Sequence, residues 1–175
     1  MSRIIVGIGG GIAAFKVATV VSRLVQSGHD VRVVLTRGAL HFVGPTTFAA
    51  LCGAAPVVDT YDARYPLGAH IELADNADLL IVAPATARLL ASCAHGLADD
   101  LLATLYLNCE TPVLMAPAMS SAMWANGAVQ RNADRLRADG VVFVGPESGW
   151  LTCRKLGAGR MAEAEQLLLE INKLI

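Results

Sequence analysis

The chain has 175 residues, the usual size of one domain, and is read as a single domain over residues 1–175. Hydrophobic residues make up 54% and charged ones 17%, which excludes intrinsic disorder, and a formal net charge of −1 gives no electrostatic reason to expect nucleic acid. No apolar run approaches the roughly 20 residues of a membrane-spanning helix, so the positive mean hydropathy has another cause. Aromatic residues are only 5%, and an excess of Ala, Val, Leu and Gly suits a parallel sheet buried on both faces. The apolar surface left over predicts a homo-oligomer.

Ile4–Ile8 reads as a buried strand running into glycines, and Ile12–Gln26 as a helix stopped by Ser27-Gly28. Asp30–Leu35 is a second strand, and Pro45–Leu51 reads as helix. A looser stretch leads to a short helix over Ile71–Ala77. Leu79–Ala83 is a strand ending at Pro84, followed by helices over Thr86–Ala94 and Leu97–Leu107. Val113–Ala116 is a strand ending at Pro117. Ser121–Arg137 reads as helix, Val141–Val144 as strand and Ala162–Leu174 as the last helix. This alternation predicts a doubly wound three-layer α/β/α sheet of five or six parallel strands, with ligands beyond the strands' carboxyl ends.

The N-terminus enters a short apolar stretch that glycines interrupt, too short for a signal-peptide core. Cys52, Cys93, Cys109 and Cys153 are dispersed, which fits neither a disulfide framework nor a zinc site. Reduced thiols, a cytoplasmic location and no metal are the expectations.

The loop Gly7-Ile8-Gly9-Gly10-Gly11-Ile12-Ala13 opens a helix with free backbone N–H groups, which suits phosphate. Ile12 stands where a dinucleotide fingerprint needs its third glycine, and Thr36-Arg37 ends the second strand without a ribose-binding acid. A hydroxyl and a guanidinium there suit a second phosphate contact, and a mononucleotide such as FMN fits better than NAD. A glycine-rich turn without a ligand is the other reading. Pro84-Ala85-Thr86-Ala87-Arg88 and Pro117-Ala118-Met119-Ser120-Ser121-Ala122-Met123-Trp124 each end a strand at proline and then expose small or hydroxylated residues, which let backbone amides approach a flat ring.

Six segments in order resemble the flavin-dependent cysteine decarboxylases, a family that includes phosphopantothenoylcysteine decarboxylase and the decarboxylases of C-terminal peptide cysteines. Gly9-Gly10-Gly11-Ile12-Ala13-Ala14 resembles the family's phosphate loop, and His70-Ile71-Glu72-Leu73 carries what looks like its active-site histidine. The segment from Pro84 to Arg88 resembles a Pro-Ala-Ser-Ala-Asn-Thr motif, with Gly96-Leu97-Ala98-Asp99-Asp100-Leu101-Leu102 following it. The segment from Pro117 to Trp124 resembles Pro-x-Met-Asn-x-x-Met-Trp, and Cys153–Met161 looks like a substrate-covering flap. The resemblance runs from about Ile4 to Glu163. It implies a flavodoxin-like (Rossmann-like) fold, FMN as cofactor, and trimers or dodecamers of trimers with the flavin site at subunit interfaces.

It further implies that a cysteine with a free carboxylate is oxidised at its thiol end and loses carbon dioxide to give an enethiol, flavin supplying the electron sink. His70 would be the base that generates or holds the thiolate, and Cys153 the thiol that protonates the enethiolate in the coenzyme A branch. Ser120, Met119, Met123 and Arg154 would face substrate. Gly9, Gly10, Gly11, Ile12, Thr36, Arg37, Pro84, Thr86, Ala87, Arg88 and Ala118 would face FMN. His29, His41 and His95 have no comparable context and read as structural or exposed.

Four positions depart from the family pattern. Ser120 replaces an asparagine that holds the substrate's cysteinyl end, and Arg88 replaces the asparagine of the other motif. Asp75 stands where coenzyme A-pathway members carry a basic residue, and Arg154 replaces a glycine. The chain also ends at Ile175 without the ligase domain usual in bacterial pathway members. These departures favour a peptide whose C-terminal cysteine becomes an aminoenethiol, while Cys153 and its flap point to phosphopantothenoylcysteine. A non-catalytic flavin-binding regulatory subunit is the reading from another class.

Overall fold

The computed structural model describes all residues, Met1–Ile175. Five strands, β1 (Arg3–Ile8), β2 (Asp30–Leu35), β3 (Leu79–Ala85), β4 (Val113–Pro117) and β5 (Val142–Phe143), form one parallel sheet in the order β2-β1-β3-β4-β5. The chain runs outward from β1 to β2, then crosses back to place β3 on β1's other side. The order therefore reverses between β1 and β3, the place where open α/β sheets bind ligands.

Alternate strand residues feed two separate cores. Ile4, Val6, Ile8, Leu79, Ile81 and Ala83 pack on one face with Val17, Val20, Val21 and Leu24 of α1 (Ala14–Gln26), Phe48 of α2 (Pro45–Cys52), and Leu167 and Ile171 of α8 (Ala164–Leu174). Ile5, Leu80, Val82 and Met115 pack on the other with Leu73 of α3 (Ala69–Ala74), Leu89 and Leu90 of α4 (Ala87–Ala94), Leu101, Leu102 and Leu105 of α5 (Leu101–Asn108), and Leu136 of α7 (Gly127–Ala138). The two clusters hold 24 and 20 buried residues, so neither sheet face is left to solvent. Each fully buried Val, Leu or Ile contributes about 1.5–3 kcal/mol of transfer free energy, which makes this double-sided burial the main cause of the layering.

Several boundaries differ from the sequence expectation, and each has a local cause. The helix expected over Leu97–Leu107 starts only at Leu101, because Asp100 is its N-cap and accepts the Ala103 N–H at 2.8 Å. The helix expected over Ser121–Arg137 is two, α6 (Ser121–Trp124) and α7, because Asn126 caps α7 by accepting from Ala128. The parallel sheet has five strands and no sixth. Its place in the chain is taken by an antiparallel hairpin, β6 (Glu147–Trp150) and β7 (Leu156–Arg160), which contains most of the expected flap.

Candidate active site at the carboxyl ends of the strands

The loop after β1 is clasped from both sides. A Cβ on Gly9 would lie 2.2 Å from the Pro84 carbonyl oxygen, and one on Gly10 2.7 Å from the Gly38 backbone, so only glycines fit between the loops after β3 and β2. A Cβ on Gly11 would instead make only ordinary contact, with Pro84 Cγ and Thr86 Cγ2 both at 3.9 Å. The N–H groups of Gly9, Gly10, Ile12 and Ala13 donate to no acceptor within the chain, and Ala13, the N-cap of α1, has no side-chain cap. Unpaired amides at a helix N-terminus fit a phosphate group. Beside them Ile12, Phe15, Leu40 and Phe42 are exposed apolar side chains.

At Thr36-Arg37, where a second phosphate contact is expected, Thr36 has partners within the chain. Its hydroxyl is buried, donates to the Ile8 carbonyl at 3.0 Å and accepts the Ala39 N–H at 3.2 Å, so it ties the end of β2 to the end of β1. Arg37 projects into solvent and meets Asp59 at 3.2 Å. The Tyr61 N–H and the Arg37 guanidinium hold the Asp59 carboxyl below its usual range.

At the end of β3, Pro84 lies within the strand, Thr86 caps α4 and Ala87 is its first residue. The Thr86 hydroxyl oxygen accepts the Leu89 N–H, which leaves its own proton free for a ligand. Arg88 is not a free charge. Its two terminal nitrogens are spent on different carboxylates, Asp99 at 2.8 Å and Asp100. Arg37, Thr36 and Arg88 line one cavity of about 600 Å³ with Asp59, Asp99 and Asp100. Neither His70 nor the loop Gly9–Ala13 lines it.

Ala118 follows β4 and donates to the Ala85 carbonyl at 3.2 Å, joining the loops after β3 and β4. Met119 is half-buried, Ser120 caps α6 by accepting the Met123 N–H, and Met123 is exposed. The hairpin lies against this loop: Met119 donates to the Gly159 carbonyl at 3.0 Å, and a Cβ on Gly157 would meet the Ser121 hydroxyl oxygen at 2.2 Å. That oxygen is buried without a partner. Cys153 and Arg154 occupy the hairpin's connecting turn, both exposed, with Arg154 in a left-handed conformation (φ 60°).

His70 lies on α3, in the helical layer opposite α1. Gly68 caps that helix at φ 107°, where a Cβ would meet the His70 ring at 3.2 Å. The His70 Nδ1 is buried with no partner, and the backbone carbonyl accepts from Asn108. The exposed side chains Leu67, Ile71 and Leu107 belong to the same α3 and α5 layer. No group of three or more His, Cys, Asp or Glu side chains is gathered as for a metal, and no helix is long and apolar enough to cross a membrane.

The sequence reading missed the partners that neutralise Arg88 and Arg37, although the adjacent acids Asp99-Asp100 were a visible signal. It also missed a set of ion pairs at the hairpin root, whose members come from distant parts of the chain.

A parallel sheet in the order 2-1-3-4-5, with an unpaired helix N-terminus at its switch point, defines a flavodoxin-like α/β protein. The chain belongs to the Flavoprotein family, whose profile matches residues 1–175. It is 48% identical over 174 residues to the coenzyme A biosynthesis bifunctional protein CoaBC of Mycobacterium tuberculosis (strain ATCC 25618 / H37Rv), covering 96% of this chain and 41% of that protein. The chain thus spans about two fifths of the length of the curated relatives it matches. Among solved structures it is similar to the FMN-dependent cysteine decarboxylase SpaF (35% identity, TM-score 0.84, 98% of each chain). It is also similar to a cysteine-to-serine variant of PPC decarboxylase complexed with pantothenoylaminoethenethiol (26% identity, TM-score 0.87, 98% of this chain and 97% of that one).

Proposed function

We propose that this chain is one flavoprotein domain that binds FMN and decarboxylates phosphopantothenoylcysteine. The observation that carries the choice of substrate is the 48% identity to CoaBC across 96% of the chain, against 35% to SpaF. It outweighs Ser120, Arg88, Asp75 and Arg154, whose departures favoured a peptide. The end of the chain at Ile175 has no weight either way, since the match covers 41% of the relative.

Bound FMN would supply the two-electron acceptor that a cysteine carboxylate lacks. The amides of Gly10, Ile12 and Ala13 hold its phosphate, and the small residues at Pro84, Thr86, Ala87 and Ala118 leave room for the ring. His70 takes the proton of the substrate thiol. Cys153 supplies a proton to the enethiolate from the hairpin turn, and bound FMN would give back the two electrons it took, so that the net change is loss of carbon dioxide. Arg88 stiffens the segment bearing Asp99 and Asp100 and does not act as a free cation. His70 does not share the cavity of Arg37 and Arg88, and Ile12, Phe15, Leu40 and Phe42 are bare beside the phosphate loop. Both support a homo-oligomer whose site forms between copies, as a trimer or a dodecamer of trimers. Four free cysteines support a cytoplasmic location.

A peptide C-terminal cysteine is the second reading, favoured by the 35% identity to SpaF over 98% of both chains. Mass spectrometry of the purified protein with both substrates separates the two. Loss of about 44 Da from phosphopantothenoylcysteine marks net decarboxylation, and loss of about 46 Da from a Cys-terminated peptide marks decarboxylation with two hydrogens passed to flavin. Turnover of the peptide alone overturns the first reading. No change in either substrate overturns both and leaves a non-catalytic flavin-binding subunit.

A further inference from the structure

The root of the β6–β7 hairpin is held by charged side chains that the proposed chemistry does not use. Glu147 and Arg160 face each other in the hairpin's register. The Arg160 guanidinium reaches Glu147 at 3.2 Å through Nη2 and Glu163 at 3.4 Å through Nη1. Lys16 completes the set: its Nζ lies 2.8 Å from the same Glu163 oxygen, Oε1, across 147 residues of sequence. Gln166 joins from α8, donating to Glu147 and accepting the Glu163 N–H at 2.9 Å. Arg160 also lies flat across Gly149, where a Cβ would be 2.9 Å from its Nε.

Lys16 is 20% exposed and Glu163 42%, and ion pairs this open to water add little to stability. What distinguishes the set is what it connects. Lys16 stands in the first turn of α1, three residues after the unpaired Ala13 amide. Arg160 follows Gly159, whose carbonyl is bonded to Met119, and the hairpin turn carries Cys153. A restraint on the first turn of α1 therefore has a continuous polar route to the hairpin root.

We propose that Lys16 is a positioning residue: through Glu163, Arg160 and Glu147 it sets the Cys153 hairpin according to whether the α1 N-terminus holds a phosphate group. The proposal rests on the FMN reading above. A ligand phosphate on the Gly10, Ile12 and Ala13 amides fixes the first turn of α1, and the ion pairs pass that order to β6 and β7.

Hydrogen exchange of residues 147–160, followed by mass spectrometry on the full chain with and without FMN, tests it. FMN slows exchange about fivefold or more in the wild-type protein and in Lys16→Arg, and less than about twofold in Lys16→Met, whose FMN affinity stays within about threefold of wild type. Glu163→Gln gives the same loss, which covers the case of a poorly folded Lys16→Met. Equal slowing in all four proteins overturns the proposal, as does no slowing in a wild-type protein that binds FMN. Inorganic phosphate is the second ligand. Should wild type fail to bind FMN, the functional reading falls, and phosphate-dependent protection lost in Lys16→Met still supports the coupling. Absence of protection by either ligand overturns it.

Discussion

Gly9 is closed in by Pro84: a methyl group on Gly9 would lie 2.2 Å from the Pro84 carbonyl oxygen and 2.8 Å from Leu89 Cδ1. The oxygen is backbone and cannot swing aside, so the two loops that flank the switch point hold each other's shape. Gly9→Ala is expected to leave the sheet folded, at a cost of about 1–3 kcal/mol, while FMN affinity falls at least about tenfold as the amides lose their alignment. Flavin titration measures this. Gly44→Ala, at a position with nothing within 4 Å of the new methyl, is the control that keeps affinity unchanged.

Thr36 is assigned a structural part, which a pair of substitutions checks. Thr36→Val removes both hydroxyl bonds but leaves the Ile8 carbonyl its bond from the Thr36 N–H and the Ala39 N–H its bond to the Thr36 carbonyl, and is expected to lower unfolding free energy by about 0.5–1.5 kcal/mol in urea. Thr36→Ser keeps both bonds and should lose less than half as much. Equal losses would show that the methyl group matters as much as the hydroxyl.

His70→Asn should retain yellow, flavin-loaded protein and lose turnover by about a hundredfold or more, as expected for a positioned proton-transfer group. Wild-type turnover in that variant removes His70 from the chemistry.

Burial sets the cysteines apart. Desolvation pushes the Cys93 thiol up to about 12 and Cys109 to about 11, while Cys153 is exposed on the hairpin. At pH 8 about one Cys93 in ten thousand is thiolate, so iodoacetamide should modify Cys153 first and leave Cys93 intact until the chain unfolds. A raised thiol favours the protonated folded state. Its contribution is therefore complete below the unfolded value of about 9 and is lost as pH rises towards 12. The urea midpoint should fall above pH 9, and less steeply in Cys93→Ala.

The strands and most helices were legible because both are written in local pattern: Ile4–Ile8 and Leu79–Ala83 are continuous apolar runs, and α1 repeats Val17, Val21 and Leu24 on one face. The hairpin was not legible as strands. Leu156–Arg160 carries two glycines and no alternation, and it is held by Met119, Ser121 and Glu147 rather than by its own propensity. At the site, the phosphate loop followed from glycines and a helix start. The fates of Thr36 and Arg88 did not, because a hydroxyl or guanidinium in sequence carries no sign of whether Ile8, Asp99 or a ligand will take it. Lys16 and Glu163 were beyond reach for the same reason at longer range.

The sheet's outermost strands limit how copies can meet. On one side β2 has its outer groups engaged only towards its carboxyl end: Leu35 donates to Val57 and Val57 to Val33, both at 2.9 Å. On the other, β5 pairs over only two residues. Each margin thus offers only a short ladder to a foreign strand, and short edges are one way in which proteins avoid runaway fibres. Several large apolar side chains left exposed, Phe15, Leu40, Phe42 and Ile71 among them, lie instead on helices and loops, so contacts between copies there would join side-chain faces and not strand edges.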